Sequence, residues 1–312
     1  MKTPKFLNRI GERFLEAPLP DAVFQVAPRV LTGIRILARE RNVGGRFVAE
    51  LPAGAVRPSF EGTNIEDPAV LESRIREGML KLGLAQGTAA VLIPELCARV
   101  FLLALDSPPA SDKERDRIVR WRVGKMMPSL PDDARFVHQS LSSGNGERIV
   151  AAVARPEVVR EYEGLFTRSG LNPGNISLPS LSLVGLLPAG GEDALLVNVE
   201  DDSLSLTAVV GAEPVLFRQK PFALEREPGT PLGRRIGPLV KEIENTALFL
   251  EDREKKKVRA VWLRAPSDNG DDLAAELGRQ LSMPVRETGD LVPGDAGGRE
   301  KTLLSSLYGQ LS

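Results

Sequence analysis

The sequence predicts an α/β protein built by duplication, with a small unit of different character set into its first half. Two observations carry the prediction. An order of three strands, one helix and one strand occurs twice, offset by about 170 residues. Between the two occurrences lies a stretch whose pattern matches neither.

In the first half, Ala22 to Val26 and Val30 to Leu37 alternate as paired strands, and Gly44-Gly45 turns the chain into Arg46 to Leu51. Asp67-Pro68 offers an N-cap with proline in the first turn, and Val70, Leu71, Ile75, Met79, Leu80 and Leu82 form an apolar face before Gly83. Ala89 to Ile93 is a short buried strand. The second half repeats this with strands at Ala194 to Val199, Ser203 to Val210 and Pro214 to Gln219. A helix then places Ile236, Leu239, Val240, Ile243, Ala247 and Leu250 on one face, and a strand follows at Val258 to Leu263.

In the middle unit, "RVFLLALDSPP" reads as a strand and "SDKERDRIVRWRVGKMMP" as a helix with Ser111 and Glu114 at capping-box spacing. "DARFVHQSL" and "ERIVAAVA" pair around Ser143-Gly144-Asn145-Gly146, and "RPEVVREYEGLFTRSGL" is a helix ended by Gly170. Together these elements predict a duplicated actin-like, ribonuclease-H-like fold with a small inserted αβ subdomain. The expected boundaries are an N-terminal amphipathic helix at 1–21, a first half at 22–95, the insertion at 96–160, a return segment at 161–188, a second half at 189–290 and a tail at 291–312.

Composition narrows the function. A chain of 312 residues is too long for one compact core and fits two domains. Forty-one basic and 42 acidic residues leave a net charge of -1, without the positive balance of a nucleic-acid binder. The single Cys97 lies among apolar residues, cannot form an internal disulfide, and reads as a buried inert thiol of a reducing compartment. His138 is the only histidine, which excludes a histidine triad or a multi-histidine metal site. No run is long enough to span a membrane. At the N-terminus, Phe6, Leu7, Ile10, Phe14 and Leu15 share a helical face; docking on the protein itself is favoured over a membrane surface.

The ordered set "LALDSPP", "KERDRIVRWRVGKMMPSLPDDARFVHQSL" and "ERIVAAVARPEVVREYEGLFTRSGLNP", followed by "NISLPSLSLVGLL", resembles the type IV pilus assembly protein PilM family. More distantly it is similar to the cytoplasmic domain of the type II secretion protein GspL. The likeness covers roughly residues 22 to 290, by element order as well as motif. It implies a cytoplasmic scaffold, peripheral at the inner membrane, that binds the cytoplasmic tail of a PilN-like membrane protein between the first half and the insertion. Trp121, Arg122 and Arg135 are the residues set against that partner. Platform ATPases and a second copy of the chain are further partners the resemblance leaves open. Membrane association would be indirect or through the N-terminal helix.

The nucleotide motifs are where this sequence departs from the family. The first phosphate hairpin carries Gln25, Ala27 and Pro28 in place of an acidic residue and glycine. In the second, Asn198-Val199-Glu200 stands for an Asp-Ile-Gly pattern, although Ser203 fits a position where Ser or Thr is usual. Phosphate loops need glycine for close backbone approach and a carboxylate to place Mg²⁺. Asn198 brings no charge, Pro28 removes a donor, and Glu200, Asp201 and Asp202 would repel a triphosphate. Ala265 and Pro266 stand where adenosine glycines are usual. The run "EREPGTPLGRR" leaves no room for an adenine-binding subdomain in the second half. No catalytic residue, cofactor or metal is therefore expected, and no enzyme activity. A divergent actin-fold ATPase or kinase and a membrane-tethering adaptor of the cell-division type are the alternatives.

Overall fold

The computed structural model describes residues 19–37, 42–105, 107–143, 146–224, 230–266 and 272–311. Of the amphipathic helix expected over residues 1–21, residues 1–18 lie outside them, and residues 19–21 are not helical. So does the glycine turn at residues 144 and 145.

The first half contains β1 (Ala22–Val26), β2 (Val30–Leu37), β3 (Asn42–Glu50), α1 (Pro68–Lys81) and β4 (Gly87–Leu92). The chain then leaves through a 3-10 turn at Glu95–Cys97 and builds β5 (Ala98–Leu105), α2 (Asp112–Met126), β6 (Arg135–Ser143) and β7 (Gly146–Ala154). It returns with α3 (Pro156–Arg168), β8 (Leu171–Ser177) and α4 (Pro179–Leu186). The second half holds β9 (Ala194–Val199), β10 (Ser203–Val210), β11 (Glu213–Pro221), the short α5 (Leu232–Arg235), α6 (Gly237–Glu254) and β12 (Ala260–Arg264). It closes with α7 (Leu273–Leu281), β13 (Val285–Glu287) and α8 (Gly298–Tyr308).

The strand orders are β3-β2-β1-β4-β8 and β11-β10-β9-β12-β13, with the three-stranded β5-β7-β6 as a separate sheet. In both large sheets the first three strands pair antiparallel and the last two add in parallel. This is the duplication read from the sequence, now visible strand by strand. The hairpin closures match as well: Ala27 N donates to Val30 O and Glu200 N donates to Ser203 O, each at 2.9 Å. Gln25 and Asn198 are therefore equivalent positions in the two halves.

Alternation along these strands sorts the cores. Ala22, Phe24 and Val26 face α1 and α3, where Leu71, Ile75, Tyr162, Leu165 and Phe166 are buried. Leu195, Val197 and Val199 face α6 and α7. The opposite faces look inward: Val23, Ile34 and Leu92 pack on Leu304 and Leu307 of α8, while Leu196 and Trp262 pack on Leu183 of α4. Two central helices thus fill the layer between the sheets. They approach so closely that a Cβ built on Gly309 would collide with Ser182 O, which requires glycine there.

Helix ends follow their sequence signals. Asp67 Oδ1 accepts from Val70 N at 3.1 Å, Ser111 Oγ accepts from Glu114 N at 3.2 Å, and Asp272 Oδ1 accepts from Ala275 N at 2.8 Å.

Two expected boundaries differ from the packing. The division at residue 160 cuts α3, yet Val158, Tyr162, Leu165 and Phe166 all enter the first-half core. The segment set apart as a tail at 291–312 supplies α8, whose Leu303, Leu304, Leu307 and Tyr308 are buried. It docks on the core.

Candidate functional site: the cleft between the halves

Parity puts three polar side chains into the inter-sheet layer. Gln25 shares a face with Val23, Asn198 with Leu196, and Arg264 with Trp262. Arg264 is the last residue of β12 and is paired with Asn198 in register, as Leu92 of β4 is paired with Gln25. An arginine therefore occupies the position that leucine fills in the first half.

Arg264 is 1% exposed, and each of its five N–H groups has an acceptor. Nε donates to Thr302 O at 3.2 Å. Nη1 donates to Asn198 Oδ1 at 2.9 Å and Glu200 Oε1 at 3.1 Å. Nη2 donates to Gln25 Oε1 at 3.1 Å and Leu303 O at 3.2 Å. One guanidinium thereby ties the first half, the second half and α8 together.

The neighbours complete the network. Gln25 Nε2 donates to Glu200 Oε1 at 2.8 Å, and Ser306 Oγ donates to Gln25 Oε1. Asn198 Nδ2 faces Glu95 Oε1 and Ser180 Oγ, both at 3.4 Å. Glu95 Oε1 also accepts from Ser180 N at 2.6 Å, and Ser180 Oγ meets Ser205 Oγ. These contacts fix the amide orientations of Gln25 and Asn198.

Burial sets the charge state. Desolvation pushes the Glu200 carboxyl from an ordinary 4.5 up to about 7, against the pull of Arg264 beside it. Glu95 is raised by the same cause, and its second oxygen has no hydrogen-bond partner among the described residues. Desolvation lowers Arg264, with Glu200 opposing it. Removing one member of such a buried pair is far more costly than the pair is stabilising, because the other is left charged and buried without its partner.

Outside the network lies a cleft of about 200 Å³ lined by Ala27, Arg29, Glu200, Ala265, Pro266 and Arg299, among others. Sites for small molecules and cofactors run from about 300 to 1,000 Å³, so this one is small for a nucleotide. Its lining brings the two hairpin tips and the Ala265-Pro266 segment together. Pro28 is buried in the first tip and Ser203 closes the second. No group of three or more metal-ligating side chains occurs among the described residues.

Of the residues singled out in the sequence, Gln25, Asn198 and Glu200 converge on one point. Arg264, Glu95, Ser180 and Ser306 were missed: a lone arginine ending "AVWLR" and a glutamate after Pro94 carry no local mark. Trp121, Arg122 and Arg135 do not converge. Trp121 is 59% exposed on the outer side of α2, and Arg122 Nη1 donates to Ala104 O. Arg135 alternates with Phe136 and His138, which meet Arg120 and Asp116 of α2, so Arg135 belongs to the opposite sheet face.

No family profile matches the chain, and no curated protein matches it in sequence. Solved structures do match. A chain of the PilM-PilN type IV pilus biogenesis complex superposes with a TM-score of 0.76 at 15% identity, covering 94% of this chain and 97% of that one. The cytoplasmic domain of EpsL, an inner membrane component of the type II secretion system of Vibrio cholerae, gives 0.53 at 9% identity, with 93% and 95% covered. A Bacteroides thetaiotaomicron protein of actin-like ATPase fold and unknown function gives 0.53 at 9%, with 93% and 97% covered. The duplicated sheets and these likenesses give the chain the actin-like fold.

Proposed function

We propose that the chain is a non-enzymatic, nucleotide-free actin-fold scaffold of a type IV pilus or related secretion platform at the inner membrane, holding the cytoplasmic tail of a PilN-like membrane protein. The observation that carries this reading is Arg264. In an actin-like cleft, donors and positive charge at the hairpin tips are offered to phosphate. Here the guanidinium at that point spends every N–H on the chain itself. The halves are held closed by their own side chains, so the cleft has no need of a ligand to order it.

A scaffold of this kind works by rigidity. At the junction between the first half and the insertion, Arg99 of β5 lies 4.9 Å from the Phe60 ring, beside the point where Glu161 of α3 accepts from Asn64 N and Ile65 N at 2.9 Å each. The tail would meet the chain beside this junction, where Arg135 stands opposite Ala154. Likeness to the PilM-PilN complex supports the partner class. No helix among the described residues is long and apolar enough to cross a membrane, so a peripheral position would depend on the partner or on a docking surface. Pulldown with the cytoplasmic tails of the platform membrane proteins encoded beside it tests the reading. Specific capture of one tail is expected, and failure to capture any of them overturns it.

One observation favours a second reading. Arg29, Arg235 and Arg299 line the cleft and suit an anion, as a divergent ATPase would require. Glu50, Glu200 and Asp201 line it too and oppose a triphosphate. Titration with Mg-ATP separates the two.

A further inference from the structure

The outer face of α2 carries a feature that the cleft does not use. Val119 and Val123 bury the inner side of this helix against the three-stranded sheet. On the opposite side, Lys113, Arg117, Trp121 and Lys125 follow one another at four-residue spacing, a single line about 18 Å long. All four are exposed, and Met126 at its end is 61% exposed. Lys125 Nζ sits 4.0 Å from the centre of the Trp121 ring.

The carboxylates of the helix are engaged elsewhere. Asp112 pairs with Arg115, Asp116 pairs with Arg120 at 3.0 Å and faces His138 at 3.6 Å, and Glu114 Oε2 accepts from Ala110 N at 2.8 Å. Among the described residues, Lys113 and Arg117 enter no ion pair. On a protein of net charge -1, this leaves a local line of cations around an exposed aromatic ring.

We propose that this face lays the protein on an anionic lipid surface. The complementarity is of charge and of shape. Lysine and arginine meet anionic headgroups, and tryptophan is the side chain suited to the boundary between headgroup and acyl chain. Neither cavity described in the protein includes a residue of the line. A peptide anchor needs a pocket, whereas a bilayer does not. The proposal is independent of the nucleotide reading of the cleft.

The chain has two tryptophans, and Trp262 is only 9% exposed. In the full chain carrying Trp262→Phe, emission reports Trp121 alone. Vesicles of phosphatidylcholine with phosphatidylglycerol are expected to shift that emission to the blue, and pure phosphatidylcholine or high salt to abolish the shift. Lys113→Ala/Arg117→Ala is expected to weaken binding about thirtyfold, at about five- to sixfold for each cation. Should Trp262→Phe fail to fold, acrylamide quenching of the wild type reads the same residue, since Trp262 is shielded. Vesicle sedimentation with unchanged Trp121 emission or quenching overturns the proposal, as does the absence of any vesicle binding. So does a shift caused by polyglutamate peptide and not by vesicles.

Discussion

Arg264 Nη2 donates to Gln25 Oε1 at 3.1 Å, joining two residues 239 positions apart in the sequence. Gln25 belongs to the first sheet and Arg264 to the second, so the two halves of the molecule are clasped by buried polar groups. Four predictions follow from this clasp and its surroundings.

Arg264→Ala leaves Glu200 and four further acceptors without their donor. Equilibrium unfolding in urea is expected to show a loss of about 3–5 kcal/mol, the range for breaking a buried pair from one side. Arg264→Met combined with Glu200→Gln is expected to recover part of that loss, because both charges leave the layer together. A double variant no more stable than Arg264→Ala contradicts the assignment of the ion pair.

The carboxyl of Glu200 gives the clasp a pH dependence of defined sign. Its folded value, about 7, lies above the ordinary 4.5 of the unfolded chain. Between those values the folded state binds the extra proton, so stability falls as pH rises through this window and is lowest above it. Glu95, raised by burial, contributes in the same direction. Unfolding free energies compared at about pH 5 and about pH 8 should favour the acid side through these groups. Glu200→Gln is expected to flatten the dependence, and an unaltered slope in that variant contradicts it.

Gly309→Ala tests the layer between the sheets. Its Cβ would collide with Ser182 O on α4, and backbone atoms on both sides have little freedom to retreat. A loss of about 1–3 kcal/mol is expected from such overpacking, read as a lowered thermal midpoint. A midpoint equal to that of the unaltered chain would mean that α4 and the end of α8 are not packed this closely.

These predictions also show what the sequence could and could not disclose. The sheets were legible because alternation and turns are local. Val23, Phe24 and Leu31 announce their strands within a few residues. Gln25, Asn198 and Glu200 were legible as departures from a phosphate-binding pattern, which told what was missing. What replaced it was not legible. The role of Arg264 depends on its register opposite Asn198 and on strand parity, both products of long-range pairing. Ser305 and Ser306 are both buried in the last helix, where Ser306 meets Gln25 and Ser305 meets Thr288, and no local pattern marks them. The end of the insertion was misplaced for a similar reason: nothing within α3 says which core receives its apolar face.

Isothermal titration of the full chain with Mg-ATP tests the central claim most directly. The account predicts no binding heat, because the donors of Arg264 are consumed by Gln25, Asn198, Glu200 and the carbonyls of Thr302 and Leu303 in α8. Saturable binding that Asn198→Ala or Asp202→Ala abolishes would contradict it, and would place a nucleotide where the structure places Arg264.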